Sequence, residues 1–265
     1  MVSRYGGYEE YDFIAGFYDP VYENRVTRDI DFFIEYSKKA SGRTLELGCG
    51  TGRILIPTAA SGCEITGLDH SAFMLSKCQE KLDKQPEEVQ KLARLVQGDM
   101  TGYDTGEIYS LVTIPLRTFQ HLILVEEQQA CLDCVSKHLA PDGLLVIDIY
   151  NPKLPKLHDP KYLAEEEDTG DLELPGGRTF RRNMRIVTYH RDQQYNDMEF
   201  IYYVTHADGR MERLVQAFPF RYFFRYEFEH LLALCGFRVV DLFGDCDKSA
   251  FTNDSPEMIF VAEKR

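Results

Sequence analysis

The stretch Leu45-Glu46-Leu47-Gly48-Cys49-Gly50-Thr51-Gly52 decides how the rest of the chain is read. Arg43, Thr44, Leu45 and Leu47 make an apolar-leaning strand that Gly48 stops abruptly. Glycines then recur at alternate positions. Without side chains they permit a tight turn and positive φ, and they let backbone N–H groups come close to a ligand. Gly52 opens a predicted helix through Arg53, Ile54, Leu55 and Ile56 that runs to Gly62. Strand, glycine loop and helix in that order form a nucleotide-type cradle. A glycine turn that holds nothing shares this local pattern, so the next segment matters more. The predicted strand over 63–68 ends in Asp69, and a carboxylate at that spacing can take both hydroxyls of a ribose.

Four motifs in order carry a resemblance. Glu46 before the turn, Gly48-Cys49-Gly50-Thr51-Gly52, Gly67-Leu68-Asp69-His70-Ser71 and Gly98-Asp99-Met100 resemble the consecutive cofactor motifs of the class I S-adenosylmethionine (SAM)-dependent methyltransferases. The resemblance implies an α/β, Rossmann-like fold: a mostly parallel seven-stranded sheet with an antiparallel final strand, here joined by an antiparallel β insertion. It implies SAM as cofactor and its demethylated form (SAH) as product. The cofactor contacts it implies are Glu46, Gly48, Cys49, Gly50, Gly52, Asp69, His70, Asp99, Met100 and Ile114. In the family the acid at Asp99's position reaches the adenine amino group, and the next residue packs on the ring. The plainer reading of Asp99 is a turn residue after Gly98. A NAD-type loop would more usually show GxGxxG with an apolar residue where Glu46 stands. A NAD-dependent oxidoreductase and a non-catalytic SAM-binding protein are the alternatives.

Bulk properties narrow the partners. A length of 265 residues, 44% of them hydrophobic, suits a single domain over 1–265 with a sizeable core. With 30 basic and 43 acidic side chains the net charge is −13, which gives no general attraction to phosphate backbones. No nucleic-acid partner is expected. Arg178, Arg181, Arg182 and Arg185 form the one basic run and read as a solvated strand face. The seven cysteines have no framework and read as buried thiols in a reducing cytoplasm. Cys131 and Cys134 make a lone C-x-x-C in a helical pattern, and no metal site is expected. No signal pattern or membrane-length apolar run is evident, so a soluble cytoplasmic protein without a membrane partner is expected.

The flanking segments should shape the acceptor side. Residues 1–42 read as a helical lid, crowded with Tyr5, Tyr8, Tyr11, Phe13, Phe17, Tyr18 and Tyr22. Ile30, Phe33, Ile34 and Ser37 predict one buried helical face, ended by Gly42. The aromatics suit a core equally well. The run Phe17-Tyr18-Asp19 resembles a segment that folds over cofactor and substrate in small-molecule methyltransferases. Tyr18 is thereby a candidate catalytic residue and Tyr22 a candidate substrate contact, a ring near a sulfonium gaining about 0.5–2 kcal/mol of cation–π attraction. Arg25 and Arg28 are candidates for the cofactor's carboxylate.

Further along, Ser71 predicts an N-cap for a helix with Met74, Leu75, Cys78 and Leu82 buried. The strand over 108–114 leads into Pro115-Leu116-Arg117-Thr118-Phe119-Gln120-His121-Leu122. Its end resembles the Phe-(Gln/Asn)-His-Leu segment of small-molecule methyltransferases, sugar and amine N-methyltransferases included. Arg117 and Phe119 are candidate substrate contacts. His121 is the candidate base, because imidazole titrates near neutral pH, and a loop-bracing histidine is its plainer reading. After a turn at 141–143, the nearly unbroken apolar run 144–150 suits the centre of a parallel sheet.

Residues 151–222 then read as an insertion. Glu165-Glu166-Glu167-Asp168 reads as a solvated acidic run, and 179–189, 197–206 and 211–220 as antiparallel strands with an Asp208-Gly209 hairpin signal. The insertion is expected to shape the substrate pocket or a homodimer contact, with Tyr202, Tyr203 and Tyr222 as substrate-orienting candidates. A helix carrying Phe228, Leu231, Leu232 and Cys235 precedes a final hairpin of 237–243 and 258–262. The expected reaction is in-line transfer of the SAM methyl to a small-molecule amine or hydroxyl, N-methylation included.

Overall fold

In the computed structural model residues 7, 8, 10–22 and 28–265 are described, the side chain of Arg28 excepted. The chain runs α1 (Phe13–Tyr22), α2 (Arg28–Ala40), β1 (Thr44–Leu47), α3 (Leu55–Ala60), β2 (Ile65–Asp69), α4 (Ala72–Leu82), α5 (Glu87–Gln90), β3 (Ala93–Gln97), β4 (Tyr109–Ile114), α6 (Val125–His138) and β5 (Leu139–Tyr150). It continues through β6 (Glu166–Glu167), β7 (Leu172–Leu174), β8 (Arg178–His190), β9 (Tyr195–Thr205), β10 (Met211–Arg221), α7 (Arg225–Leu234), β11 (Phe237–Phe243) and β12 (Glu257–Lys264).

One sheet has the order β3-β2-β1-β4-β5-β12-β11. Only β12 is antiparallel to its neighbours, β5 and β11. The largely apolar central residues of β4 and β5 are explained by cover on both faces. Leu111, Val146, Ile259 and Val261 turn to one side and meet Phe32, Phe33 and Tyr36 of α2. Val112, Leu145, Ile147 and Phe260 turn to the other and meet Leu132 and Val135 of α6 and Phe228 and Leu232 of α7. The buried stripe of α2 is Phe32, Phe33, Tyr36 and Ser37, which leaves Ile34 half-buried rather than central.

Three elements differ from their sequence expectation for identifiable reasons. The helix after the glycine loop starts at Leu55, two residues late, because Gly52 takes φ +80° and 51–54 close as turns. β5 begins at Leu139 rather than after the 141–143 turn. Leu139 pairs with Tyr109 and Leu144 with Leu111, so the intervening residues form a bulge inside the strand. The connector after Pro86 contains the short helix α5.

The inserted residues build a second, antiparallel sheet in the order β10-β9-β8-β6, with β7 paired to β8. Helix α1 docks on it through Phe17 and Val21, which pack with Leu174, Phe180, Tyr202 and Val204. Gln120 ties the two sheets together. It is fully buried, donating to Arg221 O (2.6 Å) and accepting from Tyr150 N (2.6 Å).

Candidate functional site

The carboxyl ends of β1, β2 and β4 open onto one cleft, where the ligands of such sheets bind. Gly48 stands at the turn out of β1 with φ +73°, and a Cβ there would lie 2.3 Å from Thr118 Cγ2. Gly67 in β2 is tighter still, since a Cβ would meet Leu55 Cδ1 at 2.2 Å and Cys49 Sγ at 2.8 Å. The loop can therefore sit against β2 only because both positions lack side chains. Asp69 locks it from β2. Its Oδ2 accepts from Gly50 N (2.7 Å), and its Oδ1 accepts from Ser71 N (2.9 Å) at the start of α4. Ser71 Oγ in turn accepts from Met74 N, the predicted N-cap. Burial pushes the Asp69 carboxyl above its usual range, opposed by the N–H groups of Ser71 and Gly50.

The cleft holds about 950 Å³ and is lined by Gly48, Gly50, Asp69, His70 and Met100 on the sheet side. Tyr8, Tyr18, Tyr22, Arg117 and His121 face them. Other expected contacts lie behind this lining. Glu46 is buried beneath the loop, with Oε2 bonded to nothing among the described residues. Burial raises its carboxyl from 4.5 to about 8, with Arg53 opposing. Cys49 and Gly52 lie outside the lining, and Cys49 turns its side chain inward. Asp99 Oδ1 accepts from Thr101 N (2.8 Å) and Thr101 Oγ1 (2.7 Å), which is its plainer role as a turn residue. Ile114 is fully buried in the main core.

Helix α1 is fastened to the cradle. Asp19 Oδ1 accepts from Thr51 Oγ1 (2.5 Å) in the glycine loop, and Asp19 Oδ2 accepts from Lys81 Nζ (2.8 Å) of α4. Ser71 Oγ donates to Tyr8 O (2.6 Å). Arg25 and Tyr5 lie outside the described residues, as does the side chain of Arg28.

The segment after β4 is held under strain. Leu116 (φ +52°) and Arg117 (φ +66°) are both left-handed, a conformation that β-carbon-bearing residues seldom adopt. Asp148 holds them, its Oδ2 accepting from Leu116 N (3.2 Å) and its carbonyl from Arg117 N (3.2 Å). Arg117 pairs with Glu257 at the start of β12, and Glu257 is also within hydrogen-bonding reach of Asp148. Burial holds both carboxyls above the usual range.

Two expectations for this segment are overturned. Phe119 faces the core, fully buried against Phe223 and Phe228, because the 3-10 turn over 118–121 rotates it away from the cleft. His121 does face the cleft, yet it does not titrate near neutrality. Burial alone lowers it to about 4. Its ring meets those of Tyr8, Phe218 and Phe220 edge-on, and among the described residues Nδ1 has no partner.

A second chamber, about 1400 Å³, adjoins the first. Tyr22, Arg117, Phe200, Phe218 and Phe220 line both and so mark the junction. Here the readings of the charged runs are corrected. Arg182 is buried, not solvated, because β8 turns its even positions inward. It pairs with Asp168 (2.6 Å) and lies 4.1 Å over the Phe200 ring. The acidic run is likewise engaged, Glu165 accepting from Tyr203 (2.7 Å). That contact turns Tyr203 outward, and Tyr202 packs beneath α1, so of the three tyrosines only Tyr222 lines the chamber. All seven cysteines are free thiols, and the described residues hold no cluster of three metal-ligating side chains. Among them no helix is long and apolar enough to cross a membrane.

Comparison with known proteins agrees with this geometry. A family profile described as "Methyltransferase domain" matches residues 45–145, from β1 into β5. YqeM of Bacillus subtilis, whose name assigns it to the methyltransferases without an acceptor, is 28% identical over 96% of this chain and 97% of its own. The dTDP-3-amino-3,6-dideoxy-alpha-D-glucopyranose N,N-dimethyltransferase of Streptomyces fradiae is 26% identical over 85% of this chain and 84% of its own. The structure of the CcbJ methyltransferase from Streptomyces caelestis superposes with a TM-score of 0.74 at 24% identity, covering 100% of this chain and 99% of that one. The seven-stranded order with β12 reversed, the glycine cradle closed by Asp69 and the matched domain agree: residues 45–145 carry a methyltransferase domain, in a chain that is similar along its length to methyltransferases.

Proposed function

We propose that the protein N-methylates a small-molecule amine, with the cofactor in the first cleft and the acceptor reaching it from the second chamber. The observation that carries this reading is the shared wall of Tyr22, Arg117, Phe200, Phe218 and Phe220, which joins a nucleotide-type cradle to an aromatic chamber. The S. fradiae relative, named for dimethylation of an amino sugar, supports an amine over a hydroxyl.

The cradle fits the cofactor. Gly48 and Gly50 bring backbone to the cleft surface, Asp69 would take the ribose and Met100 an adenine face, and Glu46 is a buried acid whose Oε2 has no partner among the described residues, suited to the α-ammonium. When bound, SAM supplies an activated methyl on sulfur, for displacement in line by the acceptor nitrogen. The chain's own task is to position that nitrogen and exclude water, which can contribute about 7–11 kcal/mol. Tyr8 and Tyr18 close the cleft, Ser71 holding Tyr8 and Asp19 holding the Tyr18 turn of α1 through Thr51 and Lys81.

His121 acts as a neutral imidazole. Its free Nδ1 can accept a hydrogen bond from the acceptor's N–H and orient the lone pair. With the imidazole lowered to about 4, it is too weak a base to deprotonate an alkylammonium. The acceptor therefore enters as the free amine, and the proton of the methylated product leaves to water.

Calorimetry with SAM, SAH and NAD tests the cofactor site. SAM and SAH should bind, and Asp69→Ala should weaken SAM about 100-fold, the loss of two charge-assisted contacts. NAD binding without a response to SAM sinks the reading. Incubation with methyl-labelled SAM and a panel of amines and phenols tests the acceptor class: label on phenols alone would refute N-methylation.

A further inference from the structure

The second chamber has a charge opposite to that of the molecule. In a chain of net charge −13, Arg117, Lys153, Lys156, Arg182 and Arg185 line it against Glu166 and Asp168. The three arginines are spent on structure, paired with Glu257, Asp168 and Glu199. The lysines are not. Among the described residues neither Lys153 nor Lys156 pairs with a carboxylate, and Lys156 Nζ sits 5.5 Å over the ring of Tyr162. Both line only the second chamber, away from the junction with the cofactor cleft. A built polar group stands in the same wall. Asn196 is 7% exposed, and among the described residues its Oδ1 accepts no hydrogen bond. A buried acceptor of this kind is costly unless a ligand donor meets it.

We propose that the second chamber binds an acceptor carrying an anionic group, a phosphate or a carboxylate, with Lys153 and Lys156 holding the anion and Asn196 Oδ1 taking an N–H or O–H from the acceptor's body. The nucleophilic nitrogen then lies toward Tyr22 and His121. This rests on the first cleft being the cofactor site, and it adds the acceptor's charge and polarity. It also accounts for the cationic lining. Positive charge around the chamber disfavours an incoming ammonium and favours the free amine, which is the form that can attack.

Titration of SAH-loaded protein with inorganic pyrophosphate and, separately, with citrate tests this at low salt. At least one anion should bind, and Lys153→Gln combined with Lys156→Gln should weaken it tenfold or more, with SAH affinity within twofold of the wild type. A control removing the exposed Lys38 and Lys84 should leave anion binding unchanged. Preference for pyrophosphate assigns a phosphate, and preference for citrate a carboxylate. Binding of neither anion, or equal binding by the Lys153/Lys156 double variant, overturns the proposal. Failure of SAH to bind breaks the cofactor reading instead, and the same titrations on the protein alone then decide this one.

Discussion

The first cleft and the second chamber are made of different materials. The floor of the first is short-range: Gly48, Gly50, Asp69 and Met100 come from one continuous fifth of the chain, and the glycine backbone is held in place by its own N–H groups, Gly50 N donating to Asp69 and Gly48 N to Leu68 O. The second is side chain and long-range. Its walls run from Tyr22 to Pro256, and its buried charges are paired across distant elements, Arg182 with Asp168 and Arg117 with Glu257. A backbone cradle accepts one kind of ligand and tolerates change around it. A side-chain chamber can be re-specified residue by residue, at the risk of stranding a buried charge.

The largest expected effect lies in the chamber. Arg182→Ala removes the buried guanidinium from its ion pair with Asp168, and urea unfolding should register a loss of about 3–5 kcal/mol. SAM affinity of the protein that remains folded should stay within twofold. A parallel collapse of SAM binding would break the separation between the two sites.

In the cradle the effect should depend on pH. Glu46 is raised from 4.5 to about 8, so the folded state holds its proton more tightly than the unfolded chain. The associated stability is fully present below 4.5 and is lost as pH rises to about 8. Glu46→Gln removes the ionisable group, so the variant's stability should fall roughly 3–5 kcal/mol less than the wild type's between those limits. Its SAM affinity should drop. Parallel pH–stability curves for wild type and variant would show that Glu46 is not held protonated.

At the junction the effect is smaller. His121→Asn should lower turnover about tenfold, about 1.4 kcal/mol, with SAM binding intact. Because His121 titrates near 4, the rise of kcat/KM with pH should follow the acceptor amine in both proteins. A wild-type limb near 6.5 that vanishes in the variant would restore His121 as a general base.

This division also explains what could be read in advance. The strand, loop and helix around Gly48 and the carboxylate of Asp69 are local in sequence, so periodicity and spacing carry them. The three long strands of the second sheet were equally legible from their alternation. What escaped was pairing at a distance. Nothing near Arg117 indicates Glu257, 140 positions away, and nothing in an arginine-rich strand says that Arg182 faces inward. Phe119 was misplaced because a single 3-10 turn sets its direction, and no pattern of four residues fixes that rotation. The proton affinity of His121 was equally hidden, since it comes from burial among the rings of Tyr8, Phe218 and Phe220, which lie far from it in sequence.

Helix α1 bears on how such proteins could be recombined. Asp19 is bonded to the glycine loop and α4, while Phe17 and Val21 are packed into the second sheet. One turn of helix thus answers to both halves. A chimera that imported a foreign acceptor sheet over 166–221 alone would meet a native α1 cut for a different surface. The transferable module is that sheet together with residues 13–22, with Asp19 retained as the fixed coupling to the host.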